Sequence, residues 1–303
     1  MNKLKITRLL LILFLCANIS SYAQESSTFD DKHFVEYLTS SLKNNDVNIE
    51  NKNAFLKASR NYWNDRKLDY NLHPENYEKA ISLFHENQEK FKGIERAANN
   101  KSNNRIENAV KNFQNLDDRN TFSKNSILFV GSSSIAGWKT SISFPEFYII
   151  NRGIGGMNMT EIIQHYEILI KKHAPSVIVI YCDIDIEQGK SPEIAVNAFK
   201  ELTRKIKEDL PKTSILLLSM KPVMIDDFIG RNIRKNKMIT NELLLEFSEK
   251  ENNIQFVDLA SPMLHIDGKL KTEIFINDGM HLNKLGYEIW NPIIRNILLE
   301  LTK

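Results

Sequence analysis

Ser126-Ile127-Leu128-Phe129-Val130-Gly131-Ser132-Ser133-Ser134-Ile135 is the stretch that decides the fold class. Its apolar residues run without alternation, the pattern of a strand covered on both faces, as in a parallel sheet. Gly131 lets the chain turn sharply, and the serines follow where a helix would begin. A hydroxyl at that point lies among unpaired backbone N–H groups, which suit a developing oxyanion. The same serines also fit a plainer role, because Ser132 or Ser134 could simply cap the helix.

Downstream, apolar runs and amphipathic stretches alternate. Strands are predicted at 126–130, 147–150, 176–181, 214–219 and 254–257, and helices at about 134–138, 160–173, 192–209, 231–250 and 285–302. Ser191-Pro192 supplies an N-cap and a proline for the first turn, and Pro211 closes that helix. Such alternation predicts a three-layer α/β/α sandwich around a five-stranded parallel sheet. In these sheets the ligand crevice lies beyond the carboxyl ends of the strands. Ser133, Gly156 and the segment from Cys182 to Asp185 all follow predicted strands, so they should gather on that rim.

Near the far end, Asp278-Gly279-Met280-His281 precedes a helix with Leu285, Ile289, Trp290, Ile293, Ile294 and Ile297 on one stripe. An Asp three residues before a His can hold the imidazole in one tautomer while its other nitrogen faces a serine. Taken alone the pair reads as a turn residue and a surface histidine; with Gly131-Ser132-Ser133 it points to acyl chemistry.

These segments resemble the SGNH hydrolases, also called GDSL-like esterases and lipases, over residues 106–303. The family's first block, Gly-Asp-Ser, is similar to Gly131-Ser132-Ser133, followed by Gly137-Trp138, in the manner of a Gly-Ser-Ser-Ser subgroup. The resemblance makes Ser133 the nucleophile. It aligns the second block with Asn151-Arg152-Gly153-Ile154-Gly155-Gly156 and puts the oxyanion-hole N–H groups on Ser133 and Gly156. It makes Asp278 and His281 the orienting carboxylate and the base, and implies the flavodoxin-like fold of the family. Gly189-Lys190-Ser191-Pro192-Glu193 and Lys221-Pro222 extend the likeness.

The third block departs. The family carries Gly-x-Asn-Asp after the third strand, with the Asn donating to the oxyanion, whereas here the strand runs into Cys182-Asp183-Ile184-Asp185-Ile186. One register puts Ile184 in the Asn position and the other puts Asp185 there; neither supplies an asparagine. Loss of one such donor costs about 100- to 1,000-fold in turnover, so the expectation is a slow esterase. An ionised Asp185 would repel the oxyanion, a protonated one could donate, and Asn158 offers another side chain nearby. A hydrolase so reduced could instead be a glycan- or protein-binding module. A phosphate binder at Gly131 fits less well, because the P-loop lysine is missing and Asp278–His281 would have no role.

The first residues read as a secretory leader spanning 1–23: Lys3, Lys5 and Arg8, an apolar run from Leu9 to Cys16, then small residues at Ser21-Tyr22-Ala23. The run is short for a bilayer span, so no stable membrane insertion is expected after cleavage, and the product would be periplasmic or secreted. Cleavage takes the 40 basic side chains to 37 against 38 acidic ones, a net of −1. That near-neutrality argues against nucleic acid. Only Cys182 then remains, read as a small core residue. No metal-ligand spacing appears and no cofactor is implied. Residues 24–105 are rich in Asn, Lys and Glu and predicted helical, with Phe34-Tyr37-Leu38-Leu42 and Tyr77-Ala80-Ile81-Phe84 at helical spacing. His73-Pro74-Glu75 reads as a helix start. The resemblance suggests a small-molecule or glycan acyl ester, with a short acyl group such as acetyl, as substrate.

Overall fold

The computed structural model describes residues 31–91, 94, 100–123 and 125–303. The leader expected over 1–23 lies outside the described residues. In chain order the helices are α1 (Asp31–Thr39), α2 (Ile49–Leu72), α3 (Glu78–Gln88), α4 (Asn100–Asp117), α5 (Ser133–Ala136), α6 (Thr140–Ser143), α7 (Met159–Gln164), α8 (Tyr166–Leu169), α9 (Ile184–Glu187), α10 (Pro192–Asp209), α11 (Asp226–Ile229), α12 (Ile233–Ser248) and α13 (Lys284–Leu301). Strands β1 (Ile127–Gly131), β2 (Ile149–Gly153), β3 (Val177–Tyr181), β4 (Ser214–Leu218) and β5 (Ile254–Val257) form one parallel sheet in the order β2-β1-β3-β4-β5. The expected five-stranded α/β/α architecture is the one observed.

Burial follows position in the sheet. Every residue of the central strands β1 and β3 is buried, while edge strand β2 alternates between half-buried and buried. On one face Phe129, Val179, Tyr181 and Leu218 meet Trp290, Ile294 and Leu298 of α13. On the other, Leu128, Val130, Ile178, Ile180 and Leu217 meet α7, α10 and α12 through Ile162, Phe199, Leu202, Ile206 and Leu244. Trp138 and Trp290 both belong to the first of these cores. Cys182 is buried, as the sequence suggested.

Two elements differ from the sequence expectation. Strand β2 begins at Ile149 rather than 147, because Tyr148 turns to solvent, and it continues through Asn151, Arg152 and Gly153, which pair with Phe129, Val130 and Gly131. The helix expected over 160–173 breaks at His165 (φ −100°, ψ 17°) and Ile170 (φ −124°, ψ −65°), giving α7, α8 and a 3₁₀ turn at Lys171–His173. These breaks let Tyr166, Leu169 and Ile170 all reach the core. His165 and His173 stand at helix ends and are buried. His165 lies 3.3 Å from the Glu107 carboxylate, and His173 packs beside Arg152 and Asp117.

The helices before β1 are packed onto the sheet domain. Phe34, Leu38, Phe55, Trp63 and Phe84 share the core of the α13 face. Trp63 stacks on Phe228 of α11 with centroids 3.5 Å apart, Tyr70 donates to Asp227, and Gln88 Nε2 donates to the Ile229 carbonyl at 3.3 Å. Pro74 opens a 3₁₀ turn, Pro74–Tyr77, that leads into α3. Helix α4 spans residue 105 and buries Ile106 and Val110 against the opposite face, while Asp117 near its end accepts from Arg152 and Lys172.

Candidate active site

The serine turn is built from beneath. Gly131 (φ +151°) stands where a Cβ would lie 1.8 Å from the Tyr181 carbonyl oxygen, so no side chain fits between β1 and β3 there. The Ser132 N–H donates to that same carbonyl at 3.1 Å. Although Ser132 is the N-cap of α5, it makes no side-chain cap bond; its hydroxyl donates to Asp183 Oδ1 at 3.2 Å. Of the two roles left open in the sequence, capping is therefore not what Ser132 does. Ser133 opens α5, half-buried, and its Oγ has no hydrogen-bond partner among the described residues. Tyr287 of α13 donates to the Ser134 carbonyl at 2.9 Å, and Asn151 Nδ2 donates to the Ile135 carbonyl at 2.9 Å, so the turn is fixed from two sides.

Asp183 belongs to a buried charged network at the ends of β3 and β4. Tyr181 OH donates to its Oδ2 at 2.6 Å, and Lys221 Nζ lies 3.4 Å away. Lys237 Nζ, from α12, is 2.9 Å from both Asp226 and Glu187 and 3.8 Å from Asp183. Burial alone would neutralise these groups; in Asp183 the two lysines and the tyrosine hydroxyl outweigh it and hold the carboxyl below its ordinary range. Burial likewise opposes the Lys237 charge, and Asp226, Glu187 and Asp183 more than offset it.

Asp278 and His281 meet as expected. His281 Nδ1 lies 2.6 Å from Asp278 Oδ2, while Asp278 Oδ1 accepts the N–H groups of Met280 and His281, each at 2.9 Å. Burial tends to raise the Asp278 pKa, but these donors and the adjacent ring hold it at about 2. The carboxylate is thus ionised and aimed, and Nε2 is left for another partner. Gly279 (φ +66°) makes the turn under Lys67 of α2 and Met224, and its carbonyl accepts the Met224 N–H at 2.9 Å. The pair remains part-exposed, with side-chain exposures of 38% for His281 and 42% for Asp278.

On the side of the expected oxyanion hole, Gly155 runs against Ser133: a Cβ on Gly155 would lie 3.8 Å from Ser133 Cβ. Neither the Ser133 nor the Gly156 N–H has a partner among the described residues. Asp185 is fully buried and turned away, its Oδ2 accepting the Met159 N–H at 2.9 Å and its Oδ1 accepting Lys190 Nζ at 2.7 Å. Ile184, half-buried, packs against the apolar core. Asn158 is not free either: it caps α7, Oδ1 accepting the Glu161 N–H at 2.9 Å, and Nδ2 donates to Gln188 at 3.3 Å. None of Ile184, Asp185 and Asn158 therefore offers a free carboxamide at the asparagine position.

Three side chains around the site escaped the sequence reading. Lys237 and Tyr287 lie on helices whose pattern announces only packing, and Arg105, which donates to the Gly155 carbonyl, precedes the resembling blocks. Lys221-Pro222 carried a usable signal, a lysine just past the end of a buried strand. Among the described residues no cluster of His, Cys, Asp and Glu could hold a metal, and no helix is long and apolar enough to cross a membrane. Two cavities, of about 580 and 520 Å³, are lined by Arg231, Arg234 and His85 and by Phe55 and Phe91, away from Ser133.

The fold recurs in known structures. A Streptococcus pneumonia protein named for platelet activating factor is 22% identical with a TM-score of 0.59, covering 64% of this chain and 93% of its own. A Bacteroides fragilis NCTC 9343 protein described as an acylhydrolase is 20% identical, TM-score 0.55, over 65% and 97%. A GDSL-like lipase from Bacteroides thetaiotaomicron VPI-5482 is 19% identical, TM-score 0.55, over 63% and 97%. No curated protein sequence matches the chain. Residues 130–289, more than half of the 303, match the GDSL-like Lipase/Acylhydrolase family. With that match over the serine turn, the sheet and the Asp–His loop, the chain belongs to the GDSL-like lipase/acylhydrolase family and is a serine ester hydrolase.

Proposed function

We propose that this esterase cleaves short-chain acyl esters, acetyl esters first, through Ser133, His281 and Asp278, and that it does so after export. The observation that carries the reading is the 2.6 Å contact between His281 Nδ1 and an Asp278 carboxylate pinned by two backbone donors. His281 Nε2 takes the Ser133 proton as Oγ attacks the ester carbonyl, and Asp278 stabilises the resulting imidazolium. The Ser133 and Gly156 N–H groups receive the oxyanion. Collapse expels the alcohol, which takes the proton from His281, and water, deprotonated by His281, then releases the acid. The part-exposed rim suits a bulky alcohol such as a glycan carrying a small acyl group. The charged, apolar and small-residue succession over 1–23 supports export.

With two oxyanion donors instead of three, turnover should fall about 100- to 1,000-fold short of a fully equipped site. Hydrolysis of p-nitrophenyl acetate by the protein, Ser133→Ala and Ile184→Asn tests this. The expected order is Ile184→Asn above the unmodified protein, and Ser133→Ala at background. Activity unchanged in Ser133→Ala would sink the mechanism; no activity until Ile184→Asn is introduced would favour a binding module.

A further inference from the structure

Helix α4 brings one cation to the oxyanion side of the site. Arg105 Nη2 donates to the carbonyl oxygen of Gly155, and Nη1 lies 3.8 Å from where a Gly155 Cβ would stand, itself 3.8 Å from Ser133 Cβ. A Cβ on Gly156 (φ +77°) would come within 2.8 Å of Nη2, so the guanidinium is seated on a turn that only glycine leaves open. The Arg105 side chain is exposed, but the helix that carries it is held in place. The neighbouring Ile106 is buried, Glu107 faces His165, and Asp117 at the other end of the helix is gripped by Arg152 and Lys172.

The carbonyl of Gly155 and the N–H of Gly156 belong to the same planar peptide unit and point in opposite directions. A cation bound to the oxygen therefore fixes which way the N–H faces. It also polarises the unit, since hydrogen bonds in series strengthen one another. We infer that Arg105 is a positioning residue for the oxyanion hole: through the Gly155 carbonyl it orients and strengthens the Gly156 N–H, partly offsetting the donor missing at Ile184. The inference rests on the mechanism proposed above. It places a determinant of turnover in the helical segment before residue 130, where the family match begins.

The test compares the unmodified full chain with Arg105→Ala, Arg105→Lys and Ser133→Ala, using p-nitrophenyl acetate turnover and the rate of Ser133 labelling by a fluorophosphonate. Expected for Arg105→Ala is a fall in kcat of roughly 10- to 100-fold, smaller than outright loss of an oxyanion donor because the Gly156 N–H is misaimed rather than removed, with KM changed much less. Labelling should slow in parallel, the thermal midpoint should hold, and added methylguanidinium should restore part of kcat. Arg105→Lys should fall between, because an ammonium can reach the carbonyl but not span the turn. Unchanged kcat in Arg105→Ala, with Ser133→Ala inactive, overturns the inference and leaves the mechanism standing. A lowered thermal midpoint with no rescue by methylguanidinium also overturns it, leaving Arg105 a mere tether. If the unmodified protein shows neither turnover nor labelling, the mechanism falls first and the inference with it.

Discussion

The serine and the histidine proposed as nucleophile and base are held by opposite means. Ser133 stands on a turn whose neighbour Ser132 is bonded to Asp183, fifty-one residues away, and through it to lysines from the segment after β4 and from α12. Asp278 and His281 are three residues apart, and the bonds that pin the carboxylate are made within their own loop, whose link to the segment after β4 is the Gly279 carbonyl accepting the Met224 N–H. One half is a long-range, dry assembly that forms only when the sheet is complete; the other is short-range and half in water. Damage should accordingly appear as lost stability on the serine side and as lost activity alone on the histidine side.

Asp278→Asn gives the largest break in that comparison. It keeps the shape but favours the wrong imidazole tautomer, and kcat should fall by about 10⁴-fold, with the urea midpoint nearly unchanged. Lys237→Met tests the other half. It strands Asp183, Glu187 and Asp226 without their shared cation, and breaking a buried pair in this way costs about 3–5 kcal/mol. A large shift of the urea midpoint is expected; a silent variant would mean that the network is dispensable for the turn.

The smallest effect sharpens the contrast by pH. Asp278 is held at about 2 against an ordinary 3.8, so its stabilising contribution is complete above 3.8 and fades as pH falls through 2. Partial exposure screens it to less than about 1 kcal/mol. The difference in thermal midpoint between the unmodified protein and Asp278→Asn should therefore be small, constant from pH 7 to 4, and shrinking below that. A difference that grew on acidification would refute the assignment.

The same division explains what the sequence disclosed. Continuous apolar runs locate β1 and β3, because strands buried on both faces need no alternation, and Asp278 and His281 could be paired because they are neighbours along the chain. The start of β2 was misplaced, since Phe147-Tyr148 reads as strand although Tyr148 faces solvent. The choice between Ile184 and Asp185 needed the Met159 N–H and Lys190, which come from other segments. Lys237 looks like a surface charge on a helix until its carboxylates are in place. Arg105 has no local signature at all; its meaning comes from a glycine turn fifty residues further on.

The stacking of Trp63 on Phe228 has a consequence for modularity. Phe228 belongs to the segment after β4 whose Met224 binds the Gly279 carbonyl, and Lys67, one helical turn from Trp63, lies over Gly279 itself. The helices before β1 are thus a wall of the Asp278–His281 loop rather than an accessory riding beside it. A chain cut to the family-matched portion would retain the serine, histidine and aspartate yet lose both Lys67 and Arg105 from their surroundings. Homologues that share this core but carry different leading segments are poor donors for grafting, because here the reactive rim is shared property of the two halves.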